Sequence, residues 1–221
     1  DVGANVDSKP RHLVQFAIMA DTLAKNVIKE QNPQVGLLNI GEEQGKGNAQ
    51  VNEAYAMLKS TSLHFVGNME GRDVFGSEID IAVCDGFVGN VALKLSEGLG
   101  RAFSNMLKQE LSRSRMTKFG ALLAKPAFHR LTRRLDYQEY GGAPLLGLNG
   151  TVFVCHGSAG ETAVCQAVKM ASEFASTNSN DDIRNALELH PELTRFHRIR
   201  HFISSGHKSG SSQEEEGPEE H

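Results

Sequence analysis

Apolar residues recur at helical spacing between Ser8 and Glu30, at Leu13, Phe16, Ala17, Ala20, Leu23, Ala24, Val27 and Ile28. This predicts one amphipathic helix with Ser8 as its N-cap and Pro10 in its first turn, broken by Asn32-Pro33. Val35 to Ile40 is a short apolar run of the kind that fills a parallel strand covered on both faces. A glycine-rich loop, Gly41 to Gly47, separates it from a second helix marked by Val51, Ala54, Tyr55 and Leu58. Two more strands are predicted at Leu63 to Gly67 and Ile79 to Cys84, then a long helix carrying Val91, Leu95, Leu99, Phe103 and Met106. Thr151 to Cys155 is expected as a fourth strand, and Ser158-Ala159-Gly160-Glu161 as a capping box opening a helix through Phe174. Strands alternating with helices imply an α/β layer architecture with right-handed crossovers.

The sequence contains no internal repeat. Asp181 to Ile203 has helical character interrupted by Pro191, and Ser204 to His221 is Ser, Gly and Glu with almost nothing apolar, which reads as a disordered tail. The chain therefore divides into a domain over 1–176, an extension of uncertain role over 177–203 and a tail over 204–221. Its opening, Asp1-Val2-Gly3-Ala4-Asn5, has neither an initiator Met nor a signal segment and reads as starting mid-protein.

Composition narrows the function classes. At 221 residues and 39% apolar content, without a long uninterrupted apolar stretch, the chain can build one ordinary core but no transmembrane span. A formal charge of −4 argues against a globally basic nucleic-acid binder. Cys84, Cys155 and Cys165 are too few and wrongly spaced for a disulfide scaffold or a zinc site, so they are expected to be reduced, buried small hydrophobes.

Three polar clusters follow predicted strands, where ligands gather in open α/β sheets. In Gly41-Glu42-Glu43-Gln44-Gly45-Lys46-Gly47-Asn48, free backbone N–H groups and Lys46 could hold an anion such as phosphate. It is not a Walker loop, because Ile40 and Gly47 stand where Gly and Ser or Thr are needed. In Asp85 to Asn90, Asn90 is expected to cap the long helix or to offer an amide to a developing oxyanion, while Gly86 and Gly89 would let backbone approach a ligand closely. His156-Gly157-Ser158 is the third cluster, and it lacks the GxSxG pattern of a hydrolase elbow.

Lys108 to Leu135 differs from the rest. Eight cations (Lys108, Arg113, Arg115, Lys118, Lys125, Arg130, Arg133, Arg134) against Glu110 alone leave +7, so the remainder of the chain sums to −11. Met116, Phe119, Leu122 and Leu123 form one apolar stripe and Ala127, Leu131 and Leu135 another, with Gly120 and Pro126 as breaks. The pattern predicts a basic helical hairpin with an apolar tip, suited to an anionic lipid surface through Met116, Phe119, Leu122, Leu123, Lys118 and Lys125. A dimer interface with solvated basic faces is the other reading, and an acidic carrier protein would be drawn to the same charge.

Asp1 to Asp7, Gly41 to Asn48, Gly67-Asn68-Met69-Glu70-Gly71-Arg72-Asp73, Asp85 to Asn90, Tyr140-Gly141-Gly142-Ala143-Pro144-Leu145 and His156-Gly157-Ser158 together resemble the PlsX family of bacterial phosphate acyltransferases. The resemblance runs in order over about residues 1 to 176. It implies a three-layer α/β/α sandwich of the isopropylmalate dehydrogenase and phosphotransacetylase type, usually dimeric, of which this chain lacks somewhat less than half at the amino-terminal side. It also implies transfer of a fatty acyl group from acyl carrier protein to inorganic phosphate, giving acyl phosphate for phospholipid synthesis at the cytoplasmic face of the membrane. No cofactor, metal or nucleic acid is implied. Carried onto this sequence, Lys46 becomes the phosphate cation and Asn90 the carbonyl or phosphate amide contact. Asn5, Gly45, Gly47, Asn48, Asn68, Asp85, Gly86, Gly89 and His156 become lining residues. Cys84 as an acyl-carrying nucleophile is a minor rival, since it falls in a buried strand without an obvious base. The other readings are an inactive fragment that dimerises or binds membrane, and a coenzyme A-dependent phosphotransacetylase.

Overall fold

A computed structural model of the chain describes residues 1–76, 78–135, 141–157, 159–190 and Leu193. Three strands, β1 (Val35–Leu38), β2 (Phe65–Met69) and β3 (Ile81–Val83), form a parallel sheet in the order β2-β1-β3. The central β1 is the most thoroughly buried of the three, as its uninterrupted apolar run predicts. Side chains on one of its faces meet α1 (Pro10–Leu23) and α2 (Ala49–Lys59). Leu13, Val14, Ala17 and Ile18 of α1, Ala54 and Leu58 of α2, Val35 and Leu37 of β1 and Val83 of β3 make this core. Gly36 faces the other way, where an added Cβ would press on Met69 and Ile79. The expected α/β class is therefore observed, with each strand within about two residues of its predicted position.

The first helix departs from expectation at both ends. Its N-cap is Lys9, not Ser8, and Pro10 occupies the first turn as predicted. The Ser8 hydroxyl is instead donated to the Asn5 carbonyl at 3.0 Å. At the far end α1 widens into a π-helical segment, Ala24–Ile28, and stops at Lys29 with φ of +68°, before Asn32-Pro33 is reached.

The fourth predicted strand is not part of the parallel sheet. Only Phe153–Val154 is extended (β5), paired antiparallel with Ala143–Pro144 (β4) in a separate two-stranded ribbon. Close packing explains the glycines here, because a Cβ on Gly141 would overlap the backbone of Ala163 and Ala167 in the next helix. That helix, α5 (Glu161–Ser176), has Gly160 as its N-cap, without a side-chain bond; the expected capping box rests on Ser158, which lies outside the described residues. A further helix, α6 (Ser179–Glu188), packs on α1 and is tied to the π segment by Asn26 Nδ2 donating to Asp182 at 2.8 Å. Apart from Leu193, the predicted extension beyond His190 and the tail fall outside the described residues.

The basic segment is also rearranged. Lys108 to Leu111 completes the 26-residue α3 (Gly86–Leu111), and Arg115–Leu135 forms one continuous α4 that accommodates Gly120 and Pro126. The hairpin is thus made by α3 against α4, turning at Ser112–Ser114, rather than within the segment itself. Along α3 the stripe Val91, Leu95, Leu99, Phe103 and Met106 is exposed, and so is the α4 stripe Met116, Phe119, Leu122 and Leu123. No described helix is long and apolar enough to cross a membrane.

Candidate functional site

All three parallel strands point the same way, so the segments after Leu38, Met69 and Val83 leave from one edge of the sheet. In the order β2-β1-β3, the chain leaves β1 toward β2 on one side and returns to β3 on the other. The crevice between the ends of β1 and β3 is a topological switch point, the usual place for a ligand in an open α/β sheet. The glycine loop carrying Lys46 follows β1 and the segment ending at Asn90 follows β3, so both leave the sheet at this edge.

The glycine loop is shaped by its own polar contacts. Gly45 and Gly47 have φ of +93° and +86°, values a side chain rarely tolerates. Asn39, at the end of β1, donates Nδ2 to the Lys46 carbonyl at 3.0 Å and accepts from the Ile40 N–H at 2.8 Å. From the other side, Asn52 Nδ2 donates to the Asn48 carbonyl at 3.1 Å and lies 3.4 Å from those of Gly45 and Gly47. Carbonyls are thereby drawn inward. Among the described residues the N–H groups of Gly45 and Gly47 have no acceptor and the Lys46 ammonium has no ion pair. Unpaired donors on a fixed loop suit an anion.

Other residues named in the sequence reading have contacts of their own in and around these loops. Asn48 is the N-cap of α2, its Oδ1 accepting from Val51 N–H at 2.9 Å. Asn68 donates Nδ2 to the Glu43 carbonyl at 3.1 Å, and its Oδ1 is buried without a hydrogen-bond partner among the described residues. Arg72 bridges Glu42 at 3.3 Å and Glu70 at 3.2 Å, offsetting a carboxylate the loop would otherwise present to an anion.

At the second loop the expected cap is corrected. Asp85, not Asn90, caps α3, its carboxylate accepting from Val88 N–H at 2.8 Å. Asn90 sits a turn further on, exposed, and its side chain makes no hydrogen bond among the described residues. Gly86 and Gly89 do allow close approach, but what approaches is this chain's own backbone. An added Cβ on Gly86 would lie 2.9 Å from the Asn5 carbonyl, and one on Gly89 would overlap the Asp1 carbonyl. Asp1 in turn orders its segment by accepting the N–H groups of Gly3, Ala4 and Asn5 at 2.8–2.9 Å. Asn5 spends both amide hydrogens internally, on Ser8 Oγ at 3.0 Å and toward His12 Nδ1 at 3.2 Å, so only its Oδ1 remains to meet a ligand.

The third cluster does not follow a strand of the parallel sheet. His156 follows β5, outside the parallel sheet, and is half-buried. Of the cysteines, Cys155 and Cys165 are exposed, correcting the expectation of burial; the first follows β5 and the second lies on α5. Cys84 is half-buried at the end of β3, and burial pushes its thiol up, which opposes a thiolate nucleophile. No group of three or more metal-ligating side chains occurs among the described residues.

Asn39, Asn52, Arg72 and His12 were not read from the sequence as site residues. Asn52 carried a signal, four residues after Asn48 on the first turn of α2. Arg72 and His12 lay in recognised or adjacent segments, but their partners are up to 30 residues away.

The sequence profile of a family described as fatty acid synthesis protein matches residues 1–181. The phosphate acyltransferase of Nitratidesulfovibrio vulgaris is 52% identical over 197 residues, 89% of this chain and 57% of the relative. That of Aquifex aeolicus is 51% identical over 193 residues, 87% of this chain and 57% of the relative. The Heliobacterium modesticaldum phosphate acyltransferase is 53% identical over 178 residues, 80% of this chain and 53% of the relative. The chain thus spans somewhat more than half the length of these relatives. With six ordered motifs, a profile covering most of the sequence and identities near one half, the chain belongs to the fatty acid synthesis protein family, the PlsX family.

Proposed function

We propose that this chain forms part of a phosphate acyltransferase that moves a fatty acyl group from acyl carrier protein to inorganic phosphate. The single observation that carries the reading is that the donor-rich Lys46 loop and the segment bearing Asn90 leave neighbouring strands at one sheet edge, with no ion pair to Lys46 and no side-chain hydrogen bond from Asn90 among the described residues. The names of the relatives agree with it.

In the proposed reaction a phosphate oxygen attacks the thioester carbonyl carbon. A C–O bond forms, the C–S bond breaks, and the thiolate of the carrier leaves and takes up a proton. Lys46 and the Gly45 and Gly47 N–H groups hold the phosphate charge; the Asn90 amide donates to the oxyanion that develops on the carbonyl oxygen. Phosphate is itself the nucleophile, so no acyl-enzyme is needed and Cys84 has no covalent role. Asn48, Asn68 and Asp85 set the loops, and Gly86, Gly89 and Asn5 fix the first turn of α3 against the opening segment. His156 would join the site only in the assembled protein.

The complete unit is proposed to be an α/β/α sandwich and a homodimer, with the exposed α3 stripe covered in the assembly. The basic, apolar-striped α4 then rests on an anionic membrane surface at the cytoplasmic face, where acyl phosphate would be consumed in phospholipid synthesis. A coenzyme A-dependent enzyme for small acyl groups leaves this lipid-facing helix without a purpose. The chain spans just over half the relatives' length, and the activity is proposed for a protein of that length.

The test is phosphate-dependent release of free carrier thiol from acyl-acyl carrier protein by a protein of the relatives' length carrying this chain. Release accompanied by acyl phosphate supports the reading. Release independent of phosphate, or obtained only with acyl-coenzyme A, overturns it.

A further inference from the structure

His12 lies in the first turn of α1, outside the loops that carry Lys46 and Asn90. Its ring is held in one protonation state by geometry. The Lys9 backbone N–H, which can only donate, meets Nδ1 at 3.1 Å, and the Asn5 Nδ2 group meets the same atom at 3.2 Å. Nδ1 is therefore an acceptor and the ring proton resides on Nε2. A proton on Nδ1 would face two N–H groups and part them. Burial and the neighbouring cations Arg11 and Lys9 act in the same direction, favouring the neutral ring.

What His12 holds is the segment that joins the two loops of the site. With its amide turned toward His12, Asn5 also donates to Ser8 Oγ at 3.0 Å, and Ser8 Oγ–H returns a bond to the Asn5 carbonyl at 3.0 Å. That carbonyl accepts the Gly86 N–H at 3.1 Å, at the start of the helix that presents Asn90. Next along the segment, the Ser8 carbonyl accepts Nε2 of Gln50 at 2.6 Å, from the first turn of the helix that follows the glycine loop. One short segment thus reaches α3 and α2 together, and the absence of a side chain at Gly86 leaves no slack at its contact with Asn5.

We infer that His12 is a positioning residue: through Nδ1 it locks Asn5, and through the Asn5 carbonyl it sets the first turn of α3 and the placement of Asn90 relative to the Lys46 loop. The inference about reaction rate rests on the proposed acyl transfer, whereas the inference about the α3 turn does not. The two ring nitrogens differ, because among the described residues only Nδ1 is engaged.

The experiment compares His12→Ala, His12→Asn and His12→Gln in a protein of the relatives' length. Asn can place a carbonyl oxygen near the Nδ1 position, whereas Gln reaches toward that of Nε2. Amide hydrogen exchange at Gly86 and Val88 is read against the amides of β1, which report global opening, and kcat and KM for phosphate are measured alongside. His12→Ala and His12→Gln are expected to speed exchange at Gly86 selectively and to lower kcat by about tenfold or more, with a smaller change in KM, as misplacement of a reacting group does. His12→Asn should restore both. Unchanged Gly86 exchange in His12→Ala overturns the inference. So does normal exchange with lost activity in His12→Asn, which would place Nε2 in the chemistry itself. If the unsubstituted protein shows no phosphate-dependent transfer, the proposed function fails, and the exchange data alone decide the positioning role.

Discussion

Arg72, in the turn after β2, reaches Glu42 on the glycine loop after β1, with Nη2 at 3.3 Å from Oε1. Both side chains are largely exposed, so the pair contributes only about 0–1 kcal/mol to stability. Its consequence is electrostatic. Without Arg72 the Glu42 carboxylate stands uncompensated on a loop proposed to hold phosphate. Arg72→Ala should therefore raise the KM for phosphate severalfold with little change in melting temperature, and adding Glu42→Gln should reverse most of that rise. A KM unmoved by Arg72→Ala would place the anion elsewhere.

Lys46→Ala should abolish phosphate-dependent transfer while changing stability by no more than about 0.5 kcal/mol, as expected for an exposed loop residue. Near-normal turnover at saturating phosphate would reject the assignment.

Asp85 and Asn90 separate structure from chemistry. Asp85 caps α3, so Asp85→Ala should cost about 0.5–2 kcal/mol in denaturant unfolding. Asn90 makes no cap, so Asn90→Ala should leave stability nearly unchanged and lower kcat about 100-fold or more, as loss of an oxyanion donor does. A stability loss in Asn90→Ala without loss of activity per folded molecule would reverse the two roles.

Acidification reports on His12. Its folded pKa lies below the ordinary imidazole value of about 6.5, so on acidification the unfolded chain takes up this proton first. The stabilising contribution is present above that ordinary value and is lost as pH falls through the lowered folded one. Chemical denaturation between about pH 7 and 5 should show a steeper decline for the unsubstituted protein than for His12→Asn, with the ordinary value as the upper edge of the window. Parallel curves would mean that the ring does not titrate with folding.

Thiol labelling tests the cysteine assignments. Exposed Cys155 and Cys165 should react with iodoacetamide first, and Cys84, partly buried with its thiol pushed up, should react last. Trapping of an acyl group on Cys84 would overturn direct attack by phosphate.

The amphipathic periodicity of Leu13 to Ile18 and the unbroken apolar run at Val35 to Leu38 were sufficient to read the α/β class, because helices and parallel strands bury apolar surface at different intervals along the chain. Order of motifs was enough to read the family, and the glycine loop with Lys46 was legible because positive φ demands glycine locally. Periodicity could not show that Phe153–Val154 leaves the main sheet, since a strand's partner is chosen by register and packing with distant residues. Nor could it choose between Asp85 and Asn90 as the cap, a matter of which carboxylate or amide meets the Val88 N–H. Glycines at 86 and 89 announced a close approach, but only the tertiary structure decided that Asp1 and Asn5 make it. The contacts joining Arg72 to Glu42, Asn5 to Gly86 and Gln50 to Ser8 span 30 to 81 residues. Such pairings carry no local signature, because they exist only once the core around Leu37 has brought the strand ends to one edge.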